Sequence, residues 1–138
     1  MPNVHFLPLQ PLDRLNDLLN LADIHLLPQR ADAADLVMPS KLTGMLASGR
    51  PVVASAAAET QLSQVVDGRG IVVPPGDASA FAWAIDQMAN HPGLREKLGR
   101  NARAYAVSEM ERNVVLRRFE QELLQVASGA SRNRPLSN

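Results

Sequence analysis

Cysteine is absent from this 138-residue chain, and aromatic residues make up only 4% of it. The lack of cysteine excludes disulfides, thiol catalysis and thiolate metal sites. The scarcity of aromatic residues argues against a stacking platform for single-stranded nucleic acid. The 14 basic residues balance 14 acidic ones, so the formal net charge is zero. Without a basic excess or stripe, the chain is not expected to bind nucleic acid.

Long apolar runs and export signals are missing as well. No run reaches the roughly 18 residues that a membrane helix needs. The opening Pro2-Asn3-Val4-His5 is not a basic segment leading into an apolar stretch, so it does not resemble a signal peptide. Together with the absence of cysteine, this favours a cytoplasmic location. The apolar share of 46% and the charged share of 20% are ordinary for a globular domain with one core.

Short apolar runs alternate with longer amphipathic segments along the chain. The apolar runs predict strands at residues 4–7, 24–27, 51–54 and 71–73. The amphipathic segments predict helices at residues 12–21, 41–47, 59–66, 77–90, 94–107 and 111–127. Strand-helix alternation at this spacing predicts an α/β, Rossmann-like parallel sheet with helices on its faces. Because residues 128–138 have no periodicity, we expect a domain over 1–127 and a disordered tail after it.

Four strands are few for such a sheet, and the first arrives with no preceding strand-helix unit. We therefore expect that the chain is an incomplete part of a larger domain whose first strands lie upstream. The alternative is a complete, small, flavodoxin-like domain of four strands.

The start of the predicted helix at 41–47 is the strongest candidate site. Ligands bind beyond the carboxyl ends of the strands in open parallel sheets, and the longest loop leaving such an end, 28–40, leads into this helix. Ser40 is the predicted N-cap, and the free backbone N–H groups beyond it attract anions. Lys41 stands in the first turn, where its charge opposes the helix dipole. This arrangement indicates a phosphate ligand; the alternative is a solvated surface lysine beside an ordinary cap.

Other polar residues are weaker candidates. Glu59 follows a predicted strand and could reach a ligand, but a helix N-terminus also favours glutamate for structural reasons. His5 and His25 lie within predicted strands, where we expect them to be packed. No pair of histidines has metal-ligand spacing, no acidic pair is placed for a metal, and no glycine-rich phosphate loop is present. The sequence therefore predicts neither a metal nor another cofactor.

A family resemblance rests on motifs that follow one another in a fixed order. They are Leu21-Ala22-Asp23-Ile24-His25-Leu26-Leu27-Pro28, Pro39-Ser40-Lys41-Leu42, the segment 46–55, Asp67-Gly68, the segment 72–77 and the segment 94–99. In this order they resemble the C-terminal part of a retaining GT-B glycosyltransferase of family 4. The stretch Ala-Asp-Leu-Val-Met-Pro-Ser-Lys-Leu at 34–42 resembles the colanic acid biosynthesis glycosyltransferases in particular. The resemblance covers about residues 3–127.

This resemblance implies the later part of a C-terminal domain that binds a nucleotide sugar. A GDP- or UDP-linked donor would supply a hexosyl group to a growing exopolysaccharide or lipid-linked oligosaccharide, with retention and without a metal. The N-terminal domain of the parent protein would bind the acceptor, so this chain alone is expected to be inactive. The parent would be cytoplasmic, or peripheral to the inner membrane.

The resemblance also assigns residues to the donor site. Leu9 and Gln10 would pack on the nucleobase. Many relatives carry two glutamates eight residues apart, the second binding the ribose, but the corresponding positions here are Gly44 and one near Leu36. Glu59 is a substitute candidate. The residues facing the diphosphate or the sugar would be Pro39, Ser40, Lys41, Leu42 and Thr43.

The missing glutamates leave a second interpretation open, in which the chain is a catalytically silent nucleotide-sugar-binding or assembly module. A third interpretation, a sugar-nucleotide epimerase, would need paired carboxylates that the sequence does not show. Separately, the apolar stripe of the last predicted helix predicts self-association or cover by another protein surface. That stripe consists of Val114, Val115, Leu116, Phe119 and Leu123.

Overall fold

The computed structural model describes residues 3–30 and 38–132, and within these residues three strands form one parallel sheet. The strands β1 (His25–Leu27), β2 (Val52–Ser55) and β3 (Gly70–Val73) lie side by side in chain order. Leu26 is the partner of Val53 in the first pairing. The predicted α/β class and the parallel sheet are confirmed.

The helices follow the predicted segments closely. A short 3-10 turn (Leu12–Arg14) leads into α1 (Leu15–Leu21), and the remaining helices are α2 (Ser40–Ala47), α3 (Gln61–Val66), α4 (Ala78–Asn90), α5 (Pro92–Glu109) and α6 (Arg112–Arg132). Asp77 is the cap of α4, since its Oδ1 accepts a hydrogen bond from Ala80 N at 2.8 Å. Gly49 ends α2 with a φ of 73°, as its position after the helix predicts.

The predicted strand at residues 4–7 is wrong. This segment has no strand assignment and its side chains are exposed, Phe6 almost fully. An extended segment becomes a strand only when a neighbouring strand takes up its backbone hydrogen bonds. Within the described residues β1 pairs with β2 alone, so residues 4–7 have no such neighbour.

Two predicted helix starts are also corrected. Ser40 is not an N-cap but the first residue of α2, and Pro39 occupies the cap position without a side-chain hydrogen bond. Glu59 lies outside α3 in the left-handed region, with a φ of 66°. Thr60 caps that helix instead, because its Oγ1 accepts from Ser63 N at 3.2 Å. Both helices therefore start one or two residues away from the predicted position.

The core has two parts, one on each face of the fully buried strand β2. Val52 and Ala54 pack with residues of α2, α3 and α5 on one face. Val53 packs with Met88 of α4 and with Leu98 on the other face. Helices therefore cover both faces, as the sequence predicts, and the carboxyl ends of all three strands meet at one edge of the sheet.

The last helix extends beyond the predicted domain end at residue 127. The carboxylate of Glu111 accepts from Asn113 N at 3.1 Å and from Val114 N at 3.2 Å, which caps the start of α6. The backbone of α6 is helical as far as Arg132, so the first five residues of the predicted tail are helical. Residues 133–138 of that tail lie outside the described residues. No helix in the described ranges combines the length and apolar character needed to cross a membrane.

Candidate functional site

The N-terminus of α2 leaves backbone donors open. The first N–H groups of a helix have no partner within the helix, and among the residues that the structure describes only Leu42 N has a local acceptor, Pro39 O at 3.0 Å. Within residues 3–30 and 38–132 no side chain caps this end, and no acidic residue lies in the first turn of the helix. The amides of Ser40 and Lys41 are therefore available to an anion.

The neighbouring helix starts differ from that of α2. The hydroxyl of Thr60 caps the N-terminus of α3, and the carboxylate of Asp77 caps the N-terminus of α4. A carboxylate at a helix N-terminus satisfies both the donors and the positive end of the dipole. Of these three helices, which follow the three strands, only α2 lacks a side-chain cap from the described part of the chain.

Lys41 is exposed, and so are Ser40 and Thr43 beside it. Leu42, by contrast, is completely buried in the core, so its side chain does not face a ligand. Leu42 and Leu46 together anchor one face of α2. The helix is therefore fixed through its apolar face while its first turn presents a cationic side chain to solvent.

A buried polar contact holds the other end of α2. The Nε2 atom of His25 on β1 lies 2.9 Å from Ser48 Oγ, directly after the helix. Ser48 Oγ also accepts from Arg50 N at 3.3 Å. His25 is buried, as predicted, and it positions α2 against the sheet rather than facing a ligand.

A second candidate is a cavity of about 760 Å³ at the carboxyl ends of the three strands. Ser55 at the end of β2 forms its floor together with the loop after β1. Ser55 Oγ accepts from Gln29 N at 2.6 Å and donates to Gln29 O at 2.9 Å. Its remaining walls come from α4 and the loop before it, and the lining residues include Pro28, Pro74, Pro75, Asp77, Phe81 and Ile85.

The cavity is mostly apolar, Gln29 and Arg30 also line it, and two of its polar side chains are engaged within the protein. Asp77 caps α4, and Ser55 bonds the backbone of Gln29 in both directions. Asp77 and Ser55 therefore offer no unused hydrogen-bond donor of the kind that binds phosphate. The sequence prediction centred on the loop before α2 and did not include the segment after β3. The Pro74-Pro75-Gly76-Asp77 segment at its end is the signal that could have found it.

None of the eight predicted donor-site residues lines this cavity. Five of them, at 39–43, come together at the start of α2 because they are consecutive. Leu9 is 99% exposed, and Gln10 Nε2 donates to Pro8 O at 2.9 Å within the same turn. Glu59 is exposed between β2 and α3. The assignment of these residues to a donor site remains a prediction.

Gly44, the position at which the resemblance predicts the second glutamate, lies against the neighbouring helix α1. A Cβ atom on Gly44 would lie 3.2 Å from Leu19 Cδ1 of α1. The absence of a side chain at 44 therefore lets α1 approach α2. Leu36, near the position of the first glutamate, lies outside the described residues. Over residues 3–30 and 38–132 no group of three or more histidine, aspartate and glutamate side chains is placed to hold a metal ion.

Comparison with known proteins identifies the class. The sequence matches the family of glycosyl transferases group 1 over residues 1–105, well over half of its length. The chain therefore belongs to this family of glycosyltransferases.

Two relatives place the chain more closely. It is 39% identical over 120 residues to a protein described as a colanic acid biosynthesis glycosyl transferase, WcaI, of Escherichia coli strain K12. Its fold is similar to that of a sucrose-phosphate synthase from Thermosynechococcus elongatus, with a TM-score of 0.66 and 24% identity over 81% of this chain. The predicted GT-B fold class is thereby confirmed. The chain spans 28% of the first relative and 27% of the second.

Proposed function

We propose that this chain is part of the donor-binding half of a glycosyltransferase, and that α2 binds the diphosphate of a nucleotide sugar. The observation that carries the proposal is the start of α2, which has open backbone donors, no cap and the exposed Lys41. Backbone N–H groups and a lysine are a suitable combination for phosphate oxygens. Membership of the glycosyltransferase family supplies the ligand class.

The chemistry needs charge stabilisation rather than a nucleophile from this chain. In hexosyl transfer the bond between the anomeric carbon and the diphosphate oxygen breaks, and negative charge develops on the diphosphate. The acceptor hydroxyl oxygen forms the new bond, and its proton passes to an oxygen of the departing diphosphate. Donors fixed in advance at the leaving group stabilise that developing charge. We assign this role to Lys41 and to the first amides of α2.

The family and the relative in Escherichia coli support a choice of substrates for this proposal. The donor is a GDP- or UDP-linked hexose, and the acceptor is a growing exopolysaccharide or lipid-linked oligosaccharide, with retention at the anomeric carbon. Leu9 and Gln10 contact the nucleobase, and Glu59 is the candidate for the ribose. An N-terminal acceptor-binding domain is the partner, so this chain alone transfers no sugar. The parent protein works in the cytoplasm or at the inner face of the membrane.

One observation favours the alternative of a catalytically silent binding module. Gly44 stands where relatives carry a ribose-binding glutamate, and Leu19 packs over it. A side chain at 44 would have to push the Leu19 side chain aside by a few tenths of an ångström. In such a module the nucleotide binds while the full-length protein transfers no sugar.

The experiment is titration calorimetry of the full-length protein with UDP and GDP. A charge-assisted hydrogen bond contributes about 1.5–3 kcal/mol, so Lys41→Ala should weaken binding by about tenfold or more. Lys97→Ala is the matched control, because Lys97 is the other lysine of the chain and is also exposed, on α5. Equal affinities of the Lys41→Ala and Lys97→Ala variants would end the assignment of the site to α2.

A transfer assay separates the two functions. If the full-length protein binds a nucleotide through Lys41 and also consumes the nucleotide sugar, it is an enzyme. If the full-length protein binds the nucleotide through Lys41 but consumes no nucleotide sugar in the presence of acceptor lipid, it is a catalytically silent binding module.

A further inference from the structure

A cavity of about 510 Å³ lies at the amino ends of the strands, opposite the edge that carries the start of α2. Its lining includes Asp23 and Pro51, which come just before β1 and β2. Four arginines line this arginine cavity, and they are Arg50, Arg95, Arg100 and Arg103. Asp23 and Glu96 are the acidic residues of its lining. Since the 14 basic and 14 acidic residues of the whole chain balance, positive charge is concentrated here.

Three of these arginines are held by the C-terminal ends of helices α1, α4 and α2. Each donates from one guanidinium nitrogen to carbonyl oxygens in the last turn of a helix. The contacts are Arg50 Nη2 to Asn20 O at 3.4 Å, Arg95 Nη1 to Met88 O at 2.6 Å and to Ala89 O at 2.8 Å, and Arg103 Nη1 to Ala47 O at 2.6 Å. A cation at this end of a helix stabilises it, so these contacts have a structural role.

The helix contacts do not use all the donors of the cavity. A guanidinium group carries five N–H donors. On Arg95 and Arg103 the Nε and Nη2 atoms have no acceptor within residues 3–30 and 38–132. Arg100 lies 3.7 Å from Glu96 Oε2, which is beyond hydrogen-bond distance. The arginines are therefore fixed in place by backbone contacts while donors remain for a ligand.

Two glycines line the same cavity and add no side chain to fill it. Gly99 is buried against Gly49, where a Cβ atom on Gly99 would overlap the carbonyl oxygen of Gly49. The segment before β2 supplies Arg50, and α5 supplies the other three arginines. A compact anion in this space can therefore contact cations from two elements at once.

We propose that the arginine cavity binds a compact phosphate-bearing anion, either free phosphate or pyrophosphate or the headgroup of an anionic phospholipid. Guanidinium groups bind phosphate oxygens through paired N–H donors, and a recess with an excess of positive charge concentrates anions. An extended acidic peptide fits such a recess less well than it fits an open groove. The proposal does not depend on nucleotide binding, because α2 begins at the other end of the sheet.

The test is titration of the 138-residue chain with inorganic pyrophosphate, followed by proton–nitrogen NMR. Lys41→Ala is present in every sample, so that binding at the start of α2 does not contribute. The amide of Gly99 and the Nε–H group of Arg103 should shift saturably. Arg100→Gln removes a charge but no backbone contact, and it should weaken binding by about fivefold or more.

Arg117→Gln is the matched control for the loss of one positive charge. Arg117 on α6 is exposed, its Nε donates to Asn113 O at 3.1 Å, and it lies outside the cavity. This variant should bind pyrophosphate with unchanged affinity. Equal affinities of the Arg100→Gln and Arg117→Gln variants overturn the proposal.

Co-sedimentation with vesicles distinguishes the two sources of phosphate. If the ligand is a headgroup, phosphatidylglycerol vesicles retain the chain, phosphatidylcholine vesicles do not, and Arg100→Gln abolishes the difference. Pyrophosphate binding without retention on vesicles identifies a free anion. The proposal is wrong if Gly99 shows no saturable shift with pyrophosphate and neither vesicle is preferred. It is also wrong if polyglutamate shifts Gly99 and pyrophosphate does not, since the partner is then an acidic protein.

Discussion

The Nε2 atom of His25 donates a hydrogen bond to Ser48 Oγ at 2.9 Å and thereby joins β1 to the end of α2. The direction follows from Ser48, whose hydroxyl donates its own proton to Met45 O at 2.6 Å and can only accept from the imidazole. This arrangement places a proton on Nε2 of His25. Burial, and secondly the charge of Arg50, lower the pKa of His25 below its usual value of 6.5.

This contact predicts a loss of stability in mild acid. A histidine whose pKa is lowered by folding takes up a proton more readily in the unfolded chain. Its contribution to stability is fully present above pH 6.5 and is lost as the pH falls through 6.5 to the lower value of the folded state. Urea unfolding of the wild type between pH 8 and pH 5 should show this decline. His25→Gln, which keeps a donor but does not titrate, should show a flatter profile; parallel profiles would contradict the prediction.

The contact of Gly99 with Gly49 predicts opposite effects of two identical substitutions on α5. A Cβ atom on Gly99 would overlap the carbonyl oxygen of Gly49, whereas one on Gly93 would meet nothing within 4 Å. Gly99→Ala should therefore destabilise the protein by about 1–3 kcal/mol through overpacking. Gly93→Ala should stabilise it by roughly 0.5–1 kcal/mol, because alanine favours helix. Thermal unfolding of both variants measures the difference, and a stable Gly99→Ala would show that α5 can move away from α2.

The N-termini of α4 and α2 predict different losses of stability for two alanine substitutions. Asp77→Ala removes the acceptor for Ala80 N and should cost about 1 kcal/mol of the free energy of unfolding. From the sequence, Ser40→Ala would be expected to have the same cost. Since Ser40 is the first helical residue and caps nothing, its replacement should change stability by only a few tenths of a kcal/mol. Denaturant titrations of the two variants decide this, and equal losses would mean that Ser40 acts as a cap in solution.

The apolar face of α6 predicts association. Phe119 is 59% exposed in its own chain, and Leu116 and Leu123 beside it on the helix are exposed as well. Sedimentation velocity should show the chain associating as its concentration rises, and Phe119→Glu should return it to a monomer. Trp83→Glu is the control, because Trp83 on α4 is 57% exposed and lies outside this stripe. If the chain stays a monomer at every concentration, a second copy does not cover α6 and the prediction of self-association is wrong.

The candidate site was partly accessible from the sequence. Pro39-Ser40-Lys41 marks a helix start at the end of a long loop, and the structure places it there. One wall of the cavity has a local signal at residues 74–77, but the cavity itself was not accessible, because only the pairing of three strands brings segments 28–30, 55 and 74–85 together. The role of His25 as a link to Ser48 depends on a contact across 23 residues and likewise has no local signal.

The sequence by itself determined whatever depends on neighbouring residues. Leucines at helical spacing, the aspartate before α4 and the glycine after α2 act within one turn of the chain, and each one did what its local chemistry predicts. The tertiary structure decided what depends on partners. Residues 4–7 have the composition of a strand but no described strand beside them to pair with. Helix α2 begins at Ser40, one residue before the predicted start at residue 41. A strand or a binding surface is a relation between distant segments, and only the packed sheet specifies which segments meet.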